Sequence, residues 1–504
     1  MAADDEEARA FARSFRDFLE WVHSGQVTSS GKHPVVAQIQ AHLGAAGLER
    51  SIVTRELPPF EQVNVQVALD RWMAEPGRTV AVEGVMLPAN FGPVELHQLL
   101  HGDHLPPLRL SAPDLIDLPS GPGQTIACLR SALLFATDDR GSYVLFVRGP
   151  QRHQQPLLTL EVAGLATSDA QALIVELDEL RSRHNVYRGQ LLELVGGDMG
   201  AAVGFPVLPR TEREDVVLPE AVLHRVERHT LHIAAQREAL IAAGQHLKRG
   251  LLLYGPPGTG KTHTTRYVVQ HVAGSTVLML SGRSLHLIGM VTQMARELAP
   301  SVVVLEDVDL VAEDRGHGPS ASPVLFELLD AMDGAAADAD LLFLLTTNRA
   351  DLLEPALAAR PGRVDVAIEI GLPDADARER LLHVYTRGVP LELRPSDVTE
   401  VVSRTEGVTA SFIKELVRRA VLEALGDSGG VLDRVTPAHV RVALDDLLDS
   451  AQGVTRALLG VPADQSGAPA APLDHHMQRS GHGGAGWFAA PGTAHASSLI
   501  IRTD

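Results

Sequence analysis

The chain has 504 residues, of which 45% are hydrophobic and 21% charged, so we expect several water-soluble globular domains. Its formal net charge of -19 and its aromatic content of 4% argue against nucleic acid or an anionic membrane as the main partner. No apolar run reaches the ~20 residues that span a bilayer, and the acidic start lacks a signal-peptide pattern, so a cytoplasmic protein is predicted.

The N-terminal part of the chain is predicted to contain a helical segment, a mixed domain and a linker. Residues 1–55 are expected to be helical because aromatic residues recur at helical spacing after an acidic first turn. Short alternating stretches such as TVAVEGVML and YVLFVRG predict an α+β domain of unknown role over 56–195. The single cysteine, Cys128, lies in apolar sequence and is interpreted as core packing. The glycine-rich VGGDMGAAVGFP predicts a linker over 196–209.

The second half of the chain has the pattern of an α/β domain followed by helices. Strands, glycine loops and helices alternate over 210–372, which predicts a doubly wound parallel sheet. Residues 373–452 are helical throughout and predict a small lid domain. Residues 453–504 are rich in Ala, Gly, Pro, Ser and His and are expected to be disordered. The tail residues His475, His476 and His482 lack a framework of other ligands, so a metal site is not predicted there.

A phosphate-binding loop is predicted in LLLYGPPGTGKTHTT, which fits G-x-x-x-x-G-K-[ST] from Gly255 to Thr262. Its backbone N–H groups and the start of the following helix would surround the β- and γ-phosphates of a nucleotide. Lys261 would contact phosphate oxygens and Thr262 would bind Mg²⁺. The chain has only four lysines, which supports a specific role for this one. The predicted nucleotide-binding residues are Gly255, Pro256, Pro257, Gly258, Thr259, Gly260, Lys261, Thr262 and His263.

Acidic residues follow an apolar strand about forty residues further on, in VVVLEDVDL over 302–310. In α/β proteins the carboxyl ends of such strands hold ligands. Glu306 would bind Mg²⁺ together with Thr262, and Asp307 would polarise the water that attacks the γ-phosphate. The sequence therefore predicts a site for a nucleoside triphosphate and Mg²⁺.

Four motifs in order resemble the core of the AAA ATPases, which are P-loop NTPases of the AAA+ superfamily, over residues 210–450. They are GPPGTGKT, VVVLEDVD, LLTTNRADLLEPALAARPGRVD and GVTASFIKELVRRA. The resemblance, which is to the bacterial type, implies a homo-oligomeric ring, expected to be a hexamer, that couples ATP hydrolysis to remodelling of an unidentified protein substrate or adaptor.

The same resemblance implies roles for residues beyond the phosphate loop. Asn348 matches sensor 1, which helps to place the attacking water. Arg360 and Arg363 match arginines that reach the nucleotide of the neighbouring subunit. Gly407 and Ala410 match the start of the lid helix, which contacts adenine or ribose.

The chain departs from the family pattern in four respects. The acids are in the order Glu306–Asp307, which is the reverse of the common order but also occurs in the mitochondrial branch that translocates a folded Rieske subunit. PALAARPGR is one residue longer than PALLRPGR, which leaves the main arginine finger open. Residues 287–289, Leu-Ile-Gly, stand where unfoldases carry an aromatic pore loop, and the segment after them is shorter than usual. These last two features put peptide threading in doubt.

Two other functions remain open at this point. One is a scaffold that binds ATP and hydrolyses it negligibly. The other is a nucleic-acid motor, which the acidic charge and the few aromatic residues disfavour. A membrane-bound AAA protease is not expected, because the sequence contains neither an H-E-x-x-H motif nor an apolar span.

Overall fold

A computed structural model describes most of the chain up to residue 449, within a unit formed by residues 1–462. The described residues are 33–86, 94–102, 105, 108–150, 157–197, 200–309, 332, 339–349, 364–391, 393–430 and 432–449. Arg360, Arg363 and the tail 453–504 with its histidines therefore lie outside the described residues.

The first sheet in the described part of the chain is antiparallel, with strand order β1-β7-β6-β5-β2-β3 and β4 paired to β5. Its strands are β1 Val53–Leu57, β2 Thr79–Met86, β3 Arg109–Ser111, β4 Asp114–Gly121, β5 Gln124–Asp138, β6 Gly141–Arg148 and β7 Leu158–Ala163. The helices packed on it are α1 Pro34–Leu48, α2 Gln62–Met73, α3 Leu96–His101 and α4 Thr167–Arg183. A 3₁₀ turn, Pro59–Glu61, precedes α2.

Both faces of this sheet are covered by helices. Because side chains alternate along a strand, Leu134 of β5 packs with α2 and α4, whereas the adjacent Leu133 packs with α1 and α3. The N-terminal region is thus α+β, as the short alternating strands indicated. The predicted helical segment 1–55 extends too far, because β1 begins at Val53 and pairs with β7.

The second sheet is the α/β core, with strand order β14-β10-β13-β12-β11-β8-β9. Its strands are β8 Leu191–Gly197, β9 Gly200–Gly204, β10 Arg249–Tyr254, β11 Thr276–Ser281, β12 Ser301–Glu306, β13 Leu341–Thr347 and β14 Val366–Glu369. The helices between them are α5 Glu220–Glu227, α6 Ile233–Ala235, α7 Arg237–Ala242, α8 Lys261–His271 and α9 Ile288–Glu297, with a π turn at Arg228–His232 and 3₁₀ turns at Arg213–Asp215 and Gly282–Leu287.

The predicted doubly wound parallel sheet is confirmed. All neighbouring strands from β14 to β8 run parallel, and only the β8–β9 pair is antiparallel. Val304 of β12 packs in a core with α5 and α8, whereas the next residue, Leu305, packs in a core with α9. Both faces of β12 are therefore buried, which explains its unbroken apolar sequence.

The predicted linker over 196–209 is wrong in its first part, because β8 and β9 form a hairpin that extends the α/β sheet. Leu192 and Leu194 of β8 are fully buried, and β8 pairs in parallel with β11. Glycine content suggested flexibility, but the alternating leucines before the glycines provide a strand with a buried face. β8 also begins inside the domain that was predicted over 56–195.

One hydrophobic cluster contains side chains from both sheets. Val63 of α2 and Cys128 of β5 belong to the same buried cluster as Leu278 of β11 and Val291 of α9. Burial raises the pKa of the Cys128 thiol to about 12, which agrees with a packing role. The N-terminal region is therefore attached to the α/β core by packed side chains as well as by the chain itself.

The lid is a helical domain, as predicted, with its own core. Its helices are α10 Ala375–Thr386, α11 Pro395–Arg404, α12 Ala410–Asp427 and α13 Pro437–Leu448. Asp374 caps α10 by accepting a 2.8 Å hydrogen bond from the backbone N–H of Ala377, and Thr409 caps α12 in the same way. Among the described residues, no helix combines the length and the apolar character that crossing a bilayer requires.

Candidate functional site

The glycine-rich loop joins the end of β10 to the start of α8. Gly255 has a φ of 145°, and a Cβ atom there would lie 2.2 Å from the backbone oxygen of Ile370, so only glycine fits. Ile370 in turn donates a 2.7 Å hydrogen bond from its N–H to the oxygen of Tyr254. The loop is thus held against the end of β14, and α8 follows it directly in the chain.

Lys261, the first residue of α8, is buried with 5% of its surface exposed. Its Nζ donates to the backbone oxygens of Gly255 and Pro256, at 2.9 and 2.8 Å. Burial lowers the pKa of Lys261, and the carboxylates of Asp307 and Asp309 oppose this by their charge. The ammonium group therefore lies inside the loop, close to the acids of the neighbouring strand, and its hydrogen bonds go to uncharged carbonyls.

The lid helix α12 begins against the same loop. The N–H of Ser411 donates a 3.1 Å hydrogen bond to the oxygen of Gly258. A Cβ atom at Gly258, whose φ is 76°, would lie 2.8 Å from the hydroxyl of Ser411 and 3.2 Å from that of Thr409. Glycine at this position therefore permits direct contact between the loop and the lid.

A pocket lies between this loop, the end of β14 and the lid, with about 430 Å³ of empty space, part of it open to solvent. Most of its lining is apolar and comes from residues 217–222, from residues 369–373 and from Ala377, Leu381 and Ala410 of the lid. Ala410 therefore lies where the resemblance to AAA ATPases suggested, whereas Gly407 is not part of the lining. An apolar cleft beside a phosphate loop suits a flat heterocyclic ring.

The side chain of His263 is directed away from the phosphate positions. Its Nε2 lies 3.2 Å from the backbone oxygen of Asp215, in the turn that precedes the pocket residues 217–222. Burial lowers the pKa of this imidazole. The side chain of His263 thus contacts the segment that leads into the pocket wall, and its backbone is part of the first turn of α8.

Glu306 ends β12 beside the first turn of α8. Burial, followed by the charge of Asp307, raises the pKa of Glu306, and an interaction with the side chain of Thr262 opposes that rise. Oε1 of Glu306 is buried and has no hydrogen-bond partner in the described structure. A buried carboxylate oxygen without a partner is unusual and marks a place where a cation would be stabilised.

The donor set fits Mg²⁺. The hydroxyl of Thr262 and the carboxylate of Glu306 are hard oxygen ligands, and Mg²⁺ commonly takes only one or two protein ligands together with phosphate oxygens and water. The described residues contain no cluster of three or more His, Cys, Asp or Glu side chains that could hold a metal alone. Phosphate oxygens of a bound ligand and water molecules would complete the coordination shell.

Asp307 and Asn348 lie at the ends of the adjacent strands β12 and β13. Asp307 has a φ of 52°, the only positive φ among the described non-glycine residues. Its N–H donates to Oγ1 of Thr346 at 3.1 Å. Asn348 donates its own N–H to Oδ1 of Asp309, also at 3.1 Å. The ends of these two strands are thus joined by hydrogen bonds between residues about forty positions apart.

Asp309 had no role assigned from the sequence, although it was visible as the third acid of VVVLEDVDL. It is 5% exposed and accepts hydrogen bonds from the hydroxyl of Thr347 and from Asn348. The two threonines before Asn348 were the other signal in the sequence, since each hydroxyl bonds to the turn after β12.

The segment in the pore-loop position is packed. The 3₁₀ turn Gly282–Leu287 lies against β8, and Leu285 is 3% exposed. Ile288, the first residue of α9, is 1% exposed, whereas Leu287 is half-buried and Gly289 exposed. Because these apolar side chains belong to the shared core, they are not free to grip a peptide in this conformation.

The fold and the loop around Lys261 define a P-loop nucleotide-binding domain. Residues 251–372 match the family described as "ATPase family associated with various cellular activities (AAA)". This part of the chain is an AAA domain, and the resemblance noted in the motifs is confirmed for it.

Relatives with similar sequences include proteases, a cell-division protein and a nucleotidase. The chain is 33% identical over 232 residues to "ATP-dependent zinc metalloprotease FtsH 4" of Sphaerobacter thermophilus, covering 43% of this chain and 34% of that protein. It is 35% identical over 187 residues to "Cell division cycle protein 48 homolog" of Archaeoglobus fulgidus, covering 35% and 25%. It is 29% identical over 304 residues to "Proteasome-activating nucleotidase" of Thermococcus gammatolerans, covering 56% and 75%. The chain thus spans well under half the length of the first two of these relatives.

Proposed function

We propose that this chain is a Mg²⁺-dependent ATPase that acts in the cytoplasm as a homo-oligomer, expected to be a hexamer. We further propose that it couples ATP hydrolysis to the remodelling of a protein substrate or adaptor. One observation carries the proposal: the buried Lys261 and the Thr262–Glu306 pair adjoin at the phosphate loop, and a buried oxygen of Glu306 has no hydrogen-bond partner in the described part of the chain. The similarity to AAA proteins whose names include ATP-dependent and proteasome-activating members supports it.

The loop and the pocket give the nucleotide two binding regions. Phosphate oxygens would replace the carbonyls of Gly255 and Pro256 as partners of Lys261, because a charged acceptor binds an ammonium group more strongly. The adenine ring would enter the apolar pocket beside Ala410. Binding in both regions would connect the phosphate loop to the lid.

Hydrolysis forms a bond between a water oxygen and the γ-phosphorus and breaks the bond from that phosphorus to the β,γ-bridging oxygen. Thr262 and Glu306 would hold Mg²⁺, which when bound neutralises charge on the β- and γ-phosphate oxygens. Asp307 would orient the attacking water and accept its proton, while Asn348 would hold the water in line. Lys261 would stabilise the negative charge of the phosphate oxygens.

Arg360 and Arg363 are proposed to act on the nucleotide of a neighbouring subunit. This role rests on their position in ARPGR and on the similarity of the domain, since both residues lie outside the described part of the chain. If it is correct, each site is complete only in the oligomer. Arg363→Ala should then leave the ATP affinity of each subunit unchanged and lower turnover about a hundredfold or more, as measured by phosphate release at concentrations that maintain the ring. Unchanged turnover per subunit would remove the argument for a shared site.

The acid at position 307 offers the decisive test of hydrolysis. Asp307→Asn keeps the size of the side chain but removes the proton acceptor, so ATP binding by calorimetry should persist while phosphate release falls by a factor of about a hundred or more. Wild-type protein that binds ATP but releases no phosphate, with Asp307→Asn indistinguishable from it, would instead favour the ATP-gated scaffold. Turnover that depends on added DNA, with a steep dependence on salt, would favour a nucleic-acid motor.

A further inference from the structure

Asp309 is a buried carboxylate whose described hydrogen-bond partners all lie at the end of β13. Its Oδ1 accepts a 2.9 Å hydrogen bond from the hydroxyl of Thr347 and a 3.1 Å hydrogen bond from the N–H of Asn348. Its Oδ2 lies 3.5 Å from Nδ2 of the Asn348 side chain. Burying a carboxylate is costly, so a buried carboxylate directed at one short segment constrains that segment strongly.

The rest of the turn after β12 is joined to the same segment. Thr346 accepts hydrogen bonds from two successive N–H groups, that of Asp307 through Oγ1 at 3.1 Å and that of Val308 through its backbone oxygen at 3.0 Å. Residues 307–309 are therefore each bonded to at least one of the residues 346–348. The positions of Asp307 and Asn348 relative to each other are set by this group of hydrogen bonds.

The 3.5 Å contact between Asp309 Oδ2 and the side-chain nitrogen of Asn348 also favours one orientation of the amide. An ionised carboxylate can only accept hydrogen bonds, whereas a carboxamide has one accepting and one donating end. The NH₂ group of Asn348 therefore faces Asp309, and its Oδ1 faces the opposite way. An oxygen in that position can accept a hydrogen bond from a water molecule and so direct its lone pair toward the γ-phosphate.

We propose that Asp309 is a positioning residue, which orients the amide of Asn348 so that its oxygen accepts from the attacking water. The inference rests on the proposed ATPase function and adds a residue to its mechanism. Asp309 does not contact the nucleotide in this account. Its proposed effect on the attacking water is exerted through Asn348.

Asp309→Asn tests the orientation with little change in shape. The new side-chain oxygen can still accept from Thr347 and from the N–H of Asn348, but the new NH₂ group would face the NH₂ group of Asn348. Two donors repel, so the amide of Asn348 should turn and present its NH₂ group to the water. We expect kcat to fall about tenfold or more while KM and the calorimetric affinity for ATP stay within about twofold.

A second substitution should restore the pairing. In the double variant Asp309→Asn/Asn348→Asp, the carboxylate at 348 can accept from the amide at 309 and still offer an oxygen to the water. Part of the lost kcat should return in this double variant. Asn348→Asp alone should have a lower kcat than Asp309→Asn alone or the double variant, because it places two carboxylates together. Thr347→Val is the comparison variant, since it removes the hydroxyl that donates to the same carboxylate and accepts from the N–H of Arg349 but leaves the amide contact, and its kcat should fall less than that of Asp309→Asn.

The outcomes separate this inference from the function on which it rests. If wild-type protein releases no phosphate, the ATPase proposal fails and the inference falls with it. If wild-type protein is active but Asp309→Asn keeps its kcat, or if Thr347→Val lowers kcat as much as Asp309→Asn, the orienting role is wrong and the ATPase proposal stands. If Asp309→Asn does not fold, the double variant decides, and a folded double variant with no more turnover than Asn348→Asp alone would overturn the inference.

Discussion

Buried charged side chains in the N-terminal sheet and at the phosphate loop differ in their partners. In the N-terminal region, Nε of Arg148 in β6 lies 3.0 Å from Oε2 of Glu161 in β7, and the two side chains are 9% and 7% exposed. At the loop, the described partners of Lys261 are two uncharged carbonyls, and one buried oxygen of Glu306 has no hydrogen-bond partner among the described residues. The first pair is complete within the protein, whereas the second pair of residues lacks groups that a phosphate and a cation would supply.

This difference shows how a buried charge that stabilises the fold can be distinguished from one that binds a ligand. Burial alone does not distinguish the two kinds of charge, since Arg148 and Lys261, taken as whole residues, are 7% and 5% exposed. The distinction lies in whether an opposite charge among the described residues lies within hydrogen-bond distance of each charge. A buried charge without one is a candidate for ligand binding.

Loss of Lys261 should have the largest effect on nucleotide binding. Lys261→Ala removes the charge proposed to bind the phosphates, so ATP affinity measured by calorimetry should fall about a hundredfold or more, which corresponds to roughly 3 kcal/mol. Because the described hydrogen bonds of this lysine go to two carbonyls and to no carboxylate, the free energy of unfolding should change little. Lys248→Ala, at a lysine just before β10, is the matched control and should bind ATP as wild type does. Equal affinity in the two variants would contradict the assignment of Lys261.

Loss of Arg148 should have the opposite profile. Arg148→Met leaves Glu161 buried with one hydrogen bond, from the N–H of Leu96, so the free energy of unfolding should fall by about 3–5 kcal/mol while ATP affinity is retained. Arg130→Met is the control, since Arg130 forms an exposed pair with Asp114, and it should cost about 1 kcal/mol or less.

The effect of Arg148→Met should also depend on pH. Burial raises the pKa of Glu161, and the charge of Arg148 opposes that rise. Without Arg148 the pKa should be higher still, so the folded protein takes up a proton more readily than the unfolded chain as pH falls. The destabilisation should therefore be greatest at neutral pH and shrink as pH is lowered toward the pKa of Glu161, as measured by denaturant unfolding at a series of pH values. A pH-independent loss would mean that packing, not charge, accounts for it.

The smallest expected effect concerns the acid order. Asp307 has a φ of 52°, a conformation that Asp and Asn tolerate better than longer side chains. Asp307→Glu, which restores the common acid at this position, should therefore lower the free energy of unfolding by about 1 kcal/mol, and its turnover should not exceed that of wild type. Asp307→Asn should keep wild-type stability in the same denaturant measurement. A more stable and more active Asp307→Glu would show that the backbone does not favour the shorter acid.

The phosphate loop could be predicted from the sequence because its geometry is local. Glycines at fixed spacing, a preceding apolar strand and a following helix are all visible within residues 249–271. The doubly wound sheet was predictable for the same reason, since strands buried on both faces have unbroken apolar sequences. These signals need no knowledge of distant contacts.

The role of Asp309 and the hairpin β8–β9 could not be predicted in this way. The hydrogen bonds of Asp309 join strands β12 and β13, about forty residues apart in the chain, and become apparent only when these strands are known to be neighbours. In the hairpin, glycine was taken as a sign of flexibility, but pairing with β11 overrides the preference of individual residues. Sequence patterns thus predict where helices and strands form, whereas the pairing of strands determines which residues become neighbours.

The most direct test of the account is a calorimetric titration of ATP into the folded, full-length wild-type chain in the presence of Mg²⁺. We predict saturable binding of one nucleotide per chain, because among the described residues Lys261 donates to uncharged carbonyls and Glu306 has a buried oxygen without a hydrogen-bond partner, and ATP and Mg²⁺ would supply the missing charges. Folded protein that takes up no ATP under these conditions would contradict the central claim.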